Sequence, residues 1–195
     1  MVTGSHNPPE YNGFKMTLQD GPVFGEAVLE LGEIAKSGDF VIAPESGMQR
    51  DVDITGTYID RLMKDFDGGR DLKIAWDCGN GVVGAVLHKL VARLPGEHVL
   101  LFDDVDGNFP NHHPDPTVDE NVRDLQLAVK EQACDFGIAF DGDGDRIGVV
   151  DENGNIIRCD TLMAIYARDV LDNYPGSVII GDVKCSQVMF DEIAR

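Results

Sequence analysis

Apolar positions along the chain switch repeatedly between the every-second-residue spacing of strands and the three-to-four-residue spacing of helices. Gly13 to Leu18 reads as a strand and Glu26 to Lys36 as a helix, followed by a polar, turn-rich stretch from Ser37 to Arg50. Ile54, Tyr58, Ile59, Leu62, Met63 and Phe66 then fall at helical spacing. Beyond them the pattern predicts a strand at Leu72–Trp76, a helix at Val82–Leu94 and a strand at His98–Phe102. A Pro-rich loop leads to a helix over Glu120–Glu131, a strand at Phe136–Phe140 and a second strand at Ile147–Val150, with Glu152-Asn153-Gly154-Asn155 as its turn. Thr161–Leu171 is expected to be helical, Ser177–Ile180 a strand, and the last residues begin another helix. Strands alternating with helices predict an α/β fold, with mixed sheets flanked by helices.

The same pattern sets off one complete unit over residues 53–155, between partial segments 1–52 and 156–195. The first strand has no partner before it, and the closing helix follows a single strand where a parallel sheet requires further crossovers. The expectation is therefore a segment of a longer protein.

Charge narrows the classes of function. Lys plus Arg number 16 against 35 Asp plus Glu, a formal net charge of −19. A surface this acidic repels phosphate backbones and anionic lipid heads, so neither nucleic acid nor a membrane is expected as a partner. Any anionic ligand must find local positive charge or a bound cation. The four cysteines, Cys78, Cys134, Cys159 and Cys185, lie far apart, without the paired spacing of zinc or redox motifs. Isolated thiols fit a reducing compartment. No apolar run reaches the length of a membrane span, and Met1 to Glu10 lacks the basic and apolar regions of a signal peptide, so a cytoplasmic location is expected.

The densest chemistry lies in Asp141-Gly142-Asp143-Gly144-Asp145-Arg146, between two apolar strands. Alternate carboxylates separated by glycines can curl around one cation, because glycine permits tight turns and each Asp contributes an oxygen. Oxygen-only donors favour magnesium or calcium over softer metals. A calcium-binding EF-hand is a rival, since Glu152 stands at loop position twelve. Position six, however, holds Arg146 where that motif needs glycine, and strands replace its flanking helices. Magnesium bound jointly with a phosphate oxygen is the preferred reading, with Arg146 offering a fork to that phosphate.

Three other segments carry candidate chemistry. Thr3-Gly4-Ser5-His6-Asn7-Pro8-Pro9, with Lys15 following, presents a serine after a small glycine. As sequence neighbours, Ser5 and His6 are expected to diverge, and the G-x-S-x-G elbow of hydrolases is absent. Gly79-Asn80-Gly81-Val82-Val83-Gly84 matches the dinucleotide fingerprint, with Asp103 about twenty residues later. Asp77 would nevertheless place a carboxylate where a pyrophosphate must approach, so a tight strand-to-helix turn is preferred over an NAD site. In Asn108-Phe109-Pro110-Asn111-His112-His113-Pro114-Asp115-Pro116, adjacent histidines with a nearby Asp suggest zinc, but such neighbours rarely point the same way, and a structural loop is expected.

Taken together, these segments resemble the α-D-phosphohexomutase superfamily, most closely its bacterial phosphomannomutase/phosphoglucomutase branch. The likeness rests on Thr3-Gly4-Ser5-His6-Asn7-Pro8 with Asn12-Gly13-Phe14-Lys15, and on the Asp141 to Arg146 loop. Asp77-Cys78-Gly79-Asn80-Gly81, Phe109 to Pro114 and Gly181-Asp182-Val183-Lys184-Cys185 are also similar in order and spacing. Related phosphoglucosamine mutases usually carry Ala where this chain has Gly4, which favours the hexose branch. The resemblance implies one complete phosphohexomutase-type domain, the second, at 53–155, after the C-terminal part of the first at 1–52 and before the start of a third at 156–195. It implies that Ser5 is phosphorylated, that Asp141, Asp143 and Asp145 hold Mg2+ with a phosphoserine oxygen, and that Arg146 contacts the phosphoryl group. His6 and Lys15 become acid/base candidates and Lys184 a substrate contact. Hexose phosphate and hexose 1,6-bisphosphate are the implied partners, and the isolated chain is expected to turn over poorly.

Overall fold

The computed structural model describes residues 1–194. The chain divides into two compact units, Met1–Phe66 and Asp67–Arg195.

In the first unit an antiparallel bridge joins Val2 to Phe14, and a short hairpin pairs β1 (Thr17–Leu18) with β2 (Gly21–Pro22). The long strand expected from Gly13 to Leu18 is thus reduced to a bridge and a two-residue strand. Helix α1 (Glu26–Ser37) ends at Gly38, whose left-handed φ of 71° lets its N–H reach Ile34 O at 3.0 Å. None of its residues is buried, and Val28, Leu29 and Leu31 stand exposed. After residues 39–54, which form no helix or strand, α2 (Thr55–Met63) buries Ile59 alone.

The second unit is built on a five-stranded sheet. In spatial order it runs β4 (Glu97–Leu101), β3 (Lys73–Asp77), β5 (Phe136–Phe140), β6 (Ile147–Asp151) and β7 (Ile156–Ile157). β4, β3 and β5 are parallel, whereas β6 and β7 add antiparallel. The first parallel crossover carries α3 (Gly84–Val91) and the second carries a 3-10 turn (Asp119–Val122) continuing into α4 (Arg123–Glu131). The chain leaves central β3 for one side and returns on the other, so the crevice between β3 and β5 is a topological switch point, where open α/β sheets place ligands at the strands' carboxyl ends.

Alternation along β3 feeds two cores. Ala75 joins Val122, Leu125, Val129, Cys134, Ala139 and Val150 on one face. Ile74 and Trp76 join Cys78 and Leu87 on the other. Trp76 stacks flat against Phe140 with centroids 6.2 Å apart and donates Nε1–H to His98 Nδ1 at 3.1 Å. Gly137 admits α4 to close range, since a Cβ there would stand 2.7 Å from side-chain atoms of Leu125 and Val129.

Two further helices follow, α5 (Cys159–Asn173) and α6 (Gln187–Ile193), joined by an Arg168–Glu192 ion pair and by buried Met189. The strand expected at Ser177–Ile180 does not form. No strand pairs with it among the described residues, and Val178 and Ile180 are 86% and 83% exposed, so β-branched character alone has nothing to pair with or pack on. No described helix is long and apolar enough to cross a membrane.

Leu125→Ala should lower the stability of the second unit by about 2–5 kcal/mol through an unfilled cavity. Gly137→Ala should cost about 1–3 kcal/mol through overpacking. Urea denaturation monitored by Trp76 fluorescence measures both.

Candidate functional site

At the carboxyl end of β5 the chain turns through Asp141 to Arg146 before returning as β6. Asp141 is fully buried and folds the loop around itself. Its carboxylate accepts the Arg146 backbone N–H at 3.0 Å, and its carbonyl accepts Gly144 N–H at 3.0 Å. Gly144 has φ +73°, and a side chain there would strike Val83, so both conformation and space require glycine. The turn brings one carboxylate oxygen each from Asp141, Asp143 and Asp145 within 4.8 Å of one another.

One guanidinium partly offsets this charge. Arg146 sets Nε at 3.1 Å and Nη2 at 3.0 Å from Asp141 Oδ2, and Nη1 at 3.4 Å from Asp115 Oδ1. The fork expected to face a phosphate is therefore engaged by carboxylates on its donor edge. Three clustered carboxylates still outweigh one guanidinium, and their oxygen-only chemistry fits a hard divalent cation. Glu152 takes no part, because β6 separates it from the cluster and its carboxylate accepts Asn153 Nδ2–H at 2.7 Å. The EF-hand reading fails on that separation.

The loop rests on the turn leaving β3. Val82 N–H donates to Gly142 O at 3.1 Å, and a Cβ on Gly81 would stand 2.8 Å from the same oxygen. Gly79 and Asn80 both have positive φ, 50° and 61°. Gly79 leaves room for Pro114 and His112, and Gly84 for the Asp103 carbonyl. The glycines of the dinucleotide-like segment thus serve backbone packing against protein, which removes the basis for an NAD site.

Under this turn lies a pairing invisible to sequence spacing. Fully buried Asp77, the last residue of β3, accepts Gly79 N–H at 2.9 Å and faces His112 Nε2 at 3.0 Å through Oδ2. The other ring nitrogen of His112 faces His113 O at 3.0 Å, so both nitrogens meet acceptors, which only the imidazolium satisfies. Burial by itself would lower the His112 pKa, but the hydrogen bond and negative charge of Asp77 outweigh it and hold the value above the ordinary 6.5. Asn111 donates to Asn80 Oδ1 at 2.7 Å, and Asn80 donates to Asp104 O at 2.8 Å, tying the same loops together. The Pro-rich histidine loop is a clamp, in keeping with its expected structural character. No sequence spacing joins Asp77 to His112, 35 positions away, or Asp115 to Arg146, 31 positions away.

The serine loop belongs to the first unit. Thr3 N–H donates to Gly13 O at 3.0 Å and Lys15 N–H to Met1 O at 2.9 Å, closing the loop at its base. A Cβ on Gly4 would stand 2.6 Å from the Tyr11 carbonyl oxygen, so the position before Ser5 is small for a backbone reason. Ser5 adopts φ 53°, unusual for a residue with a side chain, and its N–H donates to Thr3 Oγ1 at 2.8 Å. Contrary to expectation, Ser5 and His6 converge: Oγ lies 3.0 Å from Nδ1. Lys15 is exposed, as is Lys184, whose N–H is held by Asp182 Oδ1 at 2.8 Å in the loop before α6.

An acidic, oxygen-donor loop at the switch point of an α/β sheet defines an α/β protein with a candidate site for a hard cation. Two family models match the chain: phosphoglucomutase/phosphomannomutase alpha/beta/alpha domain I over residues 1–41, and domain II of the same family over residues 56–154. A phosphoglucomutase of Neisseria gonorrhoeae is 48% identical over 189 residues, which cover 97% of this chain and 41% of the relative. A phosphomannomutase/phosphoglucomutase of Pseudomonas putida is 45% identical over 187 residues, 96% of this chain and 40% of the relative. The solved structure of a phosphoglucomutase/phosphomannomutase family protein from Burkholderia thailandensis matches with a TM-score of 0.91 at 42% identity, covering 99% of this chain and 42% of that one. The chain belongs to the phosphoglucomutase/phosphomannomutase family and spans about two-fifths of the length of these relatives.

Because His112 has a raised pKa in the folded state, its contribution to stability is full below the ordinary value of 6.5 and is lost as pH rises through the raised value. Asp77→Asn should therefore cost about 3 kcal/mol in mildly acidic buffer and progressively less in alkaline buffer. Urea midpoints across that range check it, and a pH-independent difference would remove the ionic pair from the account.

Proposed function

We propose that this chain contributes the phosphoryl-carrying serine loop and the cation loop of a phosphohexomutase. That enzyme moves a phosphoryl group between the 1- and 6-positions of a hexose phosphate, through a phosphoserine and a hexose 1,6-bisphosphate. The observation carrying the proposal is the convergence of Asp141, Asp143 and Asp145 within 4.8 Å at the switch point, in a chain of this family. Relatives named phosphoglucomutase and phosphomannomutase support hexose phosphates as the substrate class.

Ser5 is the carrier. Its Oγ forms the new bond to phosphorus as the sugar oxygen leaves, and the hydroxyl proton passes toward His6 Nδ1, 3.0 Å away. Lys15 is the second acid/base candidate. Asp141, Asp143 and Asp145 would hold the ion, a hard divalent cation assigned as Mg2+. When bound, it supplies electrostatic stabilisation for the charge that develops during phosphoryl transfer. Arg146, held by Asp141 and Asp115, keeps a fixed positive charge at the loop for the phosphoryl oxygens. Lys184 contacts the substrate. The domain division proposed is 1–52, 53–155 and 156–195. Four free cysteines support a reducing location such as the cytoplasm.

Incubation with hexose 1,6-bisphosphate and Mg2+ should add one phosphoryl group to the chain, mapped to Ser5 by peptide mass, and Ser5→Ala should abolish it. Phosphate on another residue, or uptake by the Ser5→Ala chain, would sink the assignment. Asp143→Asn should weaken Mn2+ binding, read by its paramagnetic signal, by about tenfold or more.

A further inference from the structure

Of the four free thiols, two are withdrawn into cores and two share a surface site. Cys78 is fully buried, and burial together with the charges of Asp77 and Asp103 pushes its thiol up to about 12. Cys134 is also buried. Cys159 is exposed at the first turn of α5, and half-buried Cys185 lies in the loop before α6, its N–H bonded to Asp182 O at 3.0 Å.

One hydrogen bond draws these two segments together. Asp160 Oδ2 accepts the backbone N–H of Ser186 at 2.8 Å, while Asp160 Oδ1 accepts Thr161 N–H at 2.8 Å. The residue preceding each partner is a cysteine, and both cysteines line one open hollow with Asp160, Asp182 and Lys184. The Arg168–Glu192 pair and buried Met189 hold the two helices from farther along, so the arrangement does not rest on the single bond.

We infer that Cys159 and Cys185 are a dithiol modification site that closes an intramolecular disulfide on reaction with a low-molecular-weight disulfide. The Cys159 thiolate, the more exposed, attacks the small disulfide. Its sulfur bonds to one half, and the other half leaves as a thiolate. The Cys185 thiolate then attacks the Cys159 sulfur, the protein disulfide forms and the second small thiolate leaves. The two protons from the protein thiols are balanced by the two released thiols, and the small disulfide is reduced by the two electrons the protein loses. The bond would tie the start of α5 to the loop carrying Lys184. An effect on substrate would rest on the role proposed for Lys184, whereas bond formation does not.

The test is incubation of the whole chain with glutathione disulfide, followed by alkylation, intact mass and peptide mapping. The expected result is loss of two alkylatable thiols, a single Cys159–Cys185 cross-linked peptide, and reversal by dithiothreitol. Cys185→Ser should stop at a glutathione adduct on Cys159. Unchanged alkylation of all four thiols, stable glutathione adducts without ring closure in the unsubstituted chain, a bond between two chains, or a bond to Cys78 or Cys134 would overturn the inference. No sugar phosphate enters the assay, so any of those results leaves the Ser5 assignment standing.

Discussion

Two fully buried carboxylates end up near the carboxyl edge of neighbouring parallel strands, and the neutralisation of each organises the loops above the sheet. Asp77 closes β3 and meets the imidazolium of His112; Asp141 follows β5 and meets the guanidinium of Arg146. A buried carboxylate without a partner is costly enough to be protonated or to unfold its surroundings. Each pairing therefore dictates where a distant or local segment must go. His112 brings the Pro-rich loop across the turn after β3, and Arg146 folds the acidic loop back on itself. One guanidinium stands against three carboxylates in this loop, and the net negative charge makes Asp141, Asp143 and Asp145 a candidate cation site.

The glycines follow from the same crowding. Gly79, Gly81 and Gly144 stand where loops from three parts of the second unit approach within side-chain distance. In a dinucleotide-binding fold the second fingerprint glycine lets the backbone approach a pyrophosphate; here the space at Gly79, Gly81 and Gly84 is filled by His112, Pro114 and the carbonyls of Gly142 and Asp103, while Gly144 yields to Val83. Identical spacing thus serves a different purpose, decided by which group arrives from elsewhere in the chain. At the serine loop, Gly4 yields to the Tyr11 carbonyl in the same way.

The five-residue strands β5 and β6, helix α1 and the turn around Gly154 follow closely from local periodicity, and β5 and β6 pair with each other across one short loop. The acidic loop was legible for the same reason: its donors, glycines and arginine are contiguous. Ser177–Ile180 has equally strand-like residues yet forms no strand, since a strand is a relation to a partner and not a property of a segment. Ser5 and His6, neighbours whose side chains diverge in average backbone geometry, converge here at a residue with a left-handed φ.

By itself the sequence determined the alternation of elements, the α/β class, the acidic donor set and the serine loop's composition, all of which are encoded within short stretches. Tertiary structure alone decided that Asp77 meets His112, that Asp115 meets Arg146, that the fingerprint glycines pack on protein, and that Cys159 and Cys185 share one hollow. The physical reason is the same in each case. Burial, charge compensation and close approach arise between residues tens of positions apart, and their partners are chosen by sheet order and loop packing that no local spacing records.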